Sequence, residues 1–347
     1  MALPSTMQAV VQTEDGFAPP NAPAASYHPE DVSPFLRLAE LPVPVPGPGQ
    51  VLIKVIGSMV NPSDIVFIQG QYGQPRVKGA VAGFEGVGTV VGGKGWRAWQ
   101  LKGKRVSFVA TPKSTGAWAE YAVGNAMEVI PLRKDVRNED AAGLVVNPLT
   151  AAAMVEMVPA GGAFVASAAA SQLGKLMAGL AKDSNRRMIA LVRRDEPIAA
   201  LKALGAAHVL NETSKTFAAD LASALKAEKP TVFLDAVAGS VSARVFKAMG
   251  MDSRWVVYGK LTPEAPEILE PGTLIFMRKK IEGFWLVSWF AKTGLMAKMN
   301  AIKAVQARFA DGRWKTDISA RIPLRQVVSD LPKALQQSDG KVMITID

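Results

Sequence analysis

The chain has 347 residues, 49% of them hydrophobic and 20% charged, enough length for about two domains, each with its own core. The absence of cysteine excludes disulfides, thiolate metal sites and a cysteine nucleophile. A net charge of +10 is scattered, with concentrations at Arg186–Arg187, Arg193–Arg194 and Arg278–Lys280; lacking a long basic run interleaved with aromatics, it points to phosphate-bearing ligands rather than to nucleic acid. No run of 18 or more apolar residues is present, so no membrane span is expected. The opening MALPSTMQAVVQ carries neither a long apolar stretch nor an Arg-rich presequence, and the expected location is the cytoplasm.

The first third is rich in Gly and Pro and reads as short strands. MQAVVQ and VLIKVIGSMV are β-branched and apolar, and they flank a loop-like segment from Gly16 to about Pro48. Within it, PVPVPGPGQ is a rigid entry to a strand, because proline fixes φ and supplies no ladder donor. GAVAGFEGVGTVV and GKRVSFVA read as further strands with glycine-enabled bends. Around Asn138 the texture changes, and strand-like runs alternate with helical patterns up to about Leu286, as βαβ units do. AFVAS, MIALV, HVLN, TVFLDAV and RWVVYG are the strands. QLGKLMAGLAK is a helix, because Leu173, Leu176, Met177 and Leu180 share one face. PIAALKALG is a second helix, ending on a glycine. Beyond Val287 come a helix over KMNAIKAVQARFADG and a closing strand, KVMITID.

Between the first βαβ strand and its helix lies SAAASQLGKL. Ala168, Ala170, Ser171, Gln172, Leu173 and Gly174 line a turn small enough for backbone N–H groups and a helix N-terminus to approach a pyrophosphate. The spacing is A-x-x-S-x-x-G and not GxGxxG, so alone it is equally a plain tight turn; the surrounding βαβ pattern favours a dinucleotide. About 20 residues further on, where a ribose-binding acid serves NAD, the chain has Arg193 and Arg194 ahead of Asp195. Guanidinium groups suit a 2′-phosphate, which favours NADPH. Tyr258 and Gly259 end a strand at the edge where ligands of such sheets lie.

The order of PGPGQVLIKV, VNPSDIVFIQGQYG, GFEGVGTVV, GKRVSFV, GAWAEYAV, VVNPLTA, LGAAHVLNE and VVYG resembles the medium-chain dehydrogenase/reductase superfamily over nearly the whole chain. Within it, NPSDIVFIQGQYG and IEGFWLVSW look most like the 2-enoyl thioester reductases, with quinone oxidoreductases next. The resemblance implies an α/β protein: a GroES-like, β-rich catalytic domain over 1–131 and 287–347, a Rossmann-type doubly wound parallel sheet over 132–286, and a homodimer. Zinc-dependent relatives place Cys where this chain has Asn61 and His where it has Phe84, and neither present residue is a usual zinc ligand. His28 and His208 share no ligand spacing, so no metal is expected. Without a Lewis acid, the expected chemistry is hydride transfer to an already activated acceptor.

By the same resemblance Tyr72 is the proton donor or enolate-orienting group, a role a phenol can fill; the alternative is a packed loop aromatic. Asn61 is expected to fix the nicotinamide or ribose through its amide, or else to form a turn before Pro62. Thr150 resembles the threonine beside the nicotinamide, or caps the helix that follows. Trp285 and Trp289 line an acyl pocket or pack as ordinary core. Three functions stay open: an NADPH-dependent 2-enoyl thioester reductase, an NADPH:quinone oxidoreductase, and a catalytically silent NADPH-binding protein that binds RNA.

Overall fold

A computed structural model describes residues 3–111, 113–268, 270–337 and 340–346. The chain forms two units, Met1–Val146 with Gln306–Asp347, and Asn147–Val305. In the first unit, β1 (Thr6–Gln12) pairs antiparallel with β2 (Leu36–Pro42), Met7 facing Leu41. β2 lies inside the segment that reads as loop. Its burial alternates poorly and prolines flank it, so only the pairing with β1 makes it a strand.

β3 (Gln50–Met59) is buried along nearly its whole length, which accounts for its continuous apolar sequence. After it come α1 (Pro62–Ile68), β4 (Glu85–Gly93), α2 (Trp96–Leu101), β5 (Arg105–Val109), β6 (Tyr121–Asn125), β7 (Ile130–Pro131) and α3 (Asn138–Ala142). Trp118, Phe108, Ile53, Val90 and Leu101 form the core of this unit.

The second unit starts within α4 (Val146–Glu156). It continues through β8 (Ala163–Ala166), α5 (Gln172–Asp183), β9 (Arg187–Val192), α6 (Ile198–Leu204), β10 (His208–Asn211), α7 (Phe217–Glu228), β11 (Val232–Asp235), α8 (Ser240–Ala248) and β12 (Arg254–Val257). α9 (Gly272–Phe276), β13 (Lys280–Gly283), α10 (Leu286–Lys292) and most of α11 (Leu295–Ala310) complete it. Its six strands run parallel in the order β10-β9-β8-β11-β12-β13, the doubly wound order of a Rossmann sheet. Leu173, Leu176 and Met177 of α5 are buried as their spacing requires, while Val165, Leu191, Phe233 and Trp255 fill the core on the sheet.

The chain then returns to the first unit with β14 (Ile318–Pro323), α12 (Val327–Leu335) and β15 (Lys341–Thr345). β15 inserts between β14 and β3, antiparallel to β3, with Ile344 opposite Ser58. The unit boundaries fall later in sequence than the expected 131/132 and 286/287. Residues 132–146 bury Ala141, Ala142 and Leu144, and Ser107 Oγ donates to the Ala141 carbonyl at 2.6 Å. The change in sequence texture near Asn138 thus marks the onset of helix, not the edge of a core.

Candidate active site and cofactor turn

In the first unit, Asn61 stands at the N-terminus of α1, where its backbone N–H donates to Asp64 Oδ2 at 2.8 Å. Asp64 Oδ1 accepts from the backbone N–H of Phe84 at 2.8 Å. Both heavy atoms of the Asn61 amide are hydrogen-bonded: Nδ2 donates to Glu85 Oε1 at 2.7 Å, and Oδ1 accepts from Lys341 Nζ at 2.7 Å. Glu85 Oε2 accepts from the backbone N–H groups of Val145 and Val146 at 3.0 and 2.8 Å.

Asn61 and Asp64 are 1% exposed and Lys341 9%. Two carboxylates, one ammonium and one amide therefore share a dry cluster, and each is hydrogen-bonded, as burial of charge requires. Loss of solvent pushes the Asp64 carboxyl up to about 7 and raises Glu85 as well. It lowers the Lys341 ammonium to about 8, against the pull of Glu85 and Asp64. Asn61 was expected to turn its amide toward nicotinamide or ribose. The structure instead commits both amide heavy atoms to Glu85 and Lys341, because the buried charges need a bridging dipole.

Tyr72 follows α1 on a turn that depends on Gly70, whose φ is +75°; a side chain there would also overlap Ala18 and Arg76. The Tyr72 ring packs against Phe84, centroids 5.2 Å apart, and edge-on to Phe67 at 6.3 Å; Phe67 and Phe84 stand 5.0 Å apart. Phe84 and Phe67 are thus the two walls of an aromatic cage on one side of Tyr72.

In the second unit, Ala168 adopts φ of +47° at the turn after β8, a conformation uncommon outside glycine. Ser171 caps α5, its Oγ accepting from the Gly174 N–H at 3.2 Å. Gln172 and Leu173 open the first turn of α5, where the helix dipole favours an anion. A side chain on Gly174 would collide with the Ala169 backbone, so the helix approaches the turn as a phosphate cradle demands. Ala170 lies in the same turn.

The strand ends beside this turn are tied by Asp235, which is fully buried. Its Oδ1 accepts from Ser167 Oγ at 2.5 Å and from Val237 N at 3.0 Å; its Oδ2 accepts from Trp255 Nε1 at 2.8 Å and from Ala238 N at 3.1 Å. That network joins β8, β11 and β12 at the place where the strand order reverses. Tyr258 lies beyond β12, and its buried hydroxyl has no hydrogen-bond partner among the described residues. Burial and Asp235 hold that phenol protonated. With the close turn, this orphaned hydroxyl fits a bound dinucleotide. Gly259 packs against Ala236.

Arg193 and Arg194 are exposed just past β9. Arg193 and Arg244 both act electrostatically on Glu212, whose carboxyl is raised chiefly by burial. Thr150 is buried inside α4. Trp285 precedes α10 and Trp289 lies one turn into it, its ring edge-on to Phe290 at 5.2 Å. His28 Nδ1 lies 2.7 Å from the Leu335 carbonyl and His208 Nε2 lies 3.0 Å from Glu228 Oε1, both structural roles.

Asp64, Glu85, Lys341, Ser167 and Asp235 were not singled out from sequence. Glu85, Lys341, Ser167 and Asp235 are ordinary polar residues whose partners come from other elements, and Asp64 reaches Phe84 besides capping its own helix. Two signals are available in the sequence: the Asn61-x-x-Asp64 capping spacing and a charge embedded in an apolar strand, as in TVFLDAV.

Residues 47–134 match the family model for the alcohol dehydrogenase GroES-like domain, and residues 173–301 match that for zinc-binding dehydrogenase. The chain is 30% identical to the mitochondrial enoyl-[acyl-carrier-protein] reductase of Arabidopsis thaliana, over 86% of this chain and 80% of that protein. A crystal structure of a candidate NADPH:quinone reductase from Mesorhizobium loti superposes with a TM-score of 0.92, at 49% identity, covering 99% of this chain and 100% of that one. The complex of Etr1p with NADP and crotonyl-CoA shares the fold, with a TM-score of 0.80 at 24% identity, covering 98% of this chain and 99% of that one.

Proposed function

The chain belongs to the medium-chain dehydrogenase/reductase superfamily, in the zinc-free branch of enoyl thioester and quinone reductases, and on that premise we propose that it reduces the C=C bond of a 2-enoyl thioester with NADPH. That it is an oxidoreductase using a nicotinamide cofactor follows from the relatives. The finer reading is carried by Tyr72, packed against Phe67 and Phe84 on a glycine-fixed turn.

When bound, the reduced nicotinamide supplies hydride to the β-carbon of the conjugated acceptor. Negative charge then develops on the thioester oxygen and the α-carbon. The Tyr72 phenol answers it, first by a hydrogen bond and then by its proton, where protonation completes the reduction. Gln172, Leu173 and the Ser171-capped start of α5 hold the pyrophosphate, with Ala168, Ala170 and Gly174 giving the backbone room. Tyr258 and Gly259 would meet the dinucleotide at the carboxyl edge of the sheet, Thr150 would lie beside the nicotinamide, and Arg193 and Arg194 would take the 2′-phosphate. Trp285 and Trp289 cover the acyl chain.

The second reading, NADPH:quinone reduction, is favoured by the Mesorhizobium loti structure at 49% identity. The two separate in one assay. NADPH oxidation is followed with crotonyl-CoA, a longer 2-enoyl-CoA and a simple quinone, for the native chain and Tyr72→Phe. Enoyl turnover that falls about 100-fold in Tyr72→Phe is expected, the middle of the range for a general acid. Turnover with the quinone alone, or an unimpaired Tyr72→Phe, overturns the first reading.

A further inference from the structure

We propose that Lys341 is a positioning residue for the reduction: as a resident cation it orients the Asn61 amide, and through Asp64 and Glu85 it fixes the Phe84 wall of the cage that aims Tyr72. The inference deepens the reading of Tyr72 as proton donor and rests on it for its kinetic consequence.

The chain of contacts is continuous. Val60 N donates to the Val342 carbonyl at 3.0 Å, which brings β15 alongside the residue before Asn61. Lys341, the first residue of β15, then reaches Asn61 Oδ1 at 2.7 Å. An ammonium can only donate, so it dictates which way the amide faces. With its oxygen on Lys341, Asn61 presents its NH₂ to Glu85 Oε1. Were the amide turned round, its oxygen would confront a carboxylate oxygen in a dry site, an arrangement with two acceptors and no donor.

Two routes then converge on the dipeptide Phe84–Glu85. Asn61 anchors the Glu85 side chain, while Asp64, held by the Asn61 backbone N–H, grips the backbone N–H of Phe84. The opposite oxygen of Glu85 is anchored to Val145 and Val146, so the dipeptide is held from both sides. Phe84 carries the ring 5.2 Å from Tyr72. The remaining wall, Phe67, belongs to α1, whose first turn the same cluster secures.

The charge balance agrees with this role. Glu85 and Asp64 both act on Lys341, and removal of its ammonium would leave both buried acids with no cation among the groups that act on them. Removal of one partner from a buried charge cluster lowers stability whatever the cluster does, so loss of stability in Lys341→Met does not separate packing from positioning. A positioning cluster loses alignment as well, and misplacement of about 1 Å in a catalytic group costs up to about 100-fold in rate.

The four tyrosines of the chain give a readout independent of turnover. The protein is labelled with 3-fluorotyrosine, and the Tyr72 fluorine resonance is assigned by its disappearance in Tyr72→Phe. Lys341→Met is expected to displace or broaden the Tyr72 line and to leave Tyr258, in the other unit, unmoved. With crotonyl-CoA, kcat is expected to fall about 10- to 100-fold, with KM for NADPH within about twofold. In the Tyr72→Phe background the same substitution is expected to change kcat little further.

Phe84→Leu alters the cage without touching the buried charges, so it tests the last link even if Lys341→Met fails to fold, and the same line should move. An unmoved Tyr72 line in either variant overturns the proposal, as does an equal kcat loss with and without Tyr72. A full-rate Tyr72→Phe removes the proton-donor reading alone, because the fluorine measurement still decides whether Lys341 sets the ring.

Discussion

Asp64 and Lys341 carry opposite pH signatures within one cluster. The Asp64 carboxyl is raised to about 7 from 3.8, so between these values the folded chain keeps a proton that the unfolded chain has released. Its contribution to stability is full below about pH 4 and is lost as pH rises through 7. Lys341, lowered to about 8 from 10.5, contributes stability above 10.5 that is lost as pH falls through 8, and adds no slope below that. Asp64→Asn should therefore flatten the pH dependence between 4 and 7. Urea unfolding at about pH 5, 6 and 7 should show native stability dropping relative to the variant by up to about 1.4 kcal/mol per pH unit. A constant difference would place the Asp64 carboxyl in its ordinary range.

At the cofactor end, charge-assisted hydrogen bonds contribute about 1.5–3 kcal/mol each. Arg193→Ala and Arg194→Ala should together raise the Kd for NADPH at least about 10-fold and leave that for NADH within about twofold, measured by fluorescence titration. Equal losses for both cofactors would remove the 2′-phosphate role. Of these residues, the arginines were legible because a βαβ register counts along the chain. The Asn61–Lys341 bond, spanning 280 residues, was not.

The turn from β8 into α5 shows how an element overrides residue preference. In an exposed helix interior, Gly→Ala gains roughly 1 kcal/mol. At Gly174 a methyl group would enter the Ala169 backbone, and overpacking costs about 1–3 kcal/mol. Gly174→Ala should accordingly lower the Tm instead of raising it, and weaken NADPH binding at least about 10-fold as α5 is pushed off the turn. Calorimetry with and without NADPH checks both; a raised Tm with unchanged binding would show that the close approach is unnecessary. α5 itself was readable, its apolar face repeating at helical spacing. β2 and β13 were not: β13 has four residues, none of them buried, and becomes a strand only through pairing with β12.

Across the whole molecule, β13 closes one edge of the parallel sheet and has no strand on its other side among the described residues. Ile281 on it is 41% exposed, and Phe276 just before it 79%. An unpaired edge with exposed apolar side chains invites another chain, so this edge is where the expected homodimer is tested. Ile281→Lys should shift the sedimentation mass from twice that of the chain toward that of one chain, because a charge on the strand opposes edge pairing. A wild-type chain that sediments as a monomer would end that reading.

The sequence by itself determined which chemistry is open. Residue types are local facts, so the lack of cysteine, Asn61 and Phe84 at the zinc positions, and the arginines after β9 needed no fold to be read. It also determined the alternation of strand and helix, because periodicity is written along the chain. The tertiary structure decided what those residues do. Asn61 became a bridge between Glu85 and Lys341 because β15 returns beside β3, and Phe84 became a wall for Tyr72 because α1 and β4 meet through Asp64. Such roles arise from long-range contacts, whose partners no local pattern specifies.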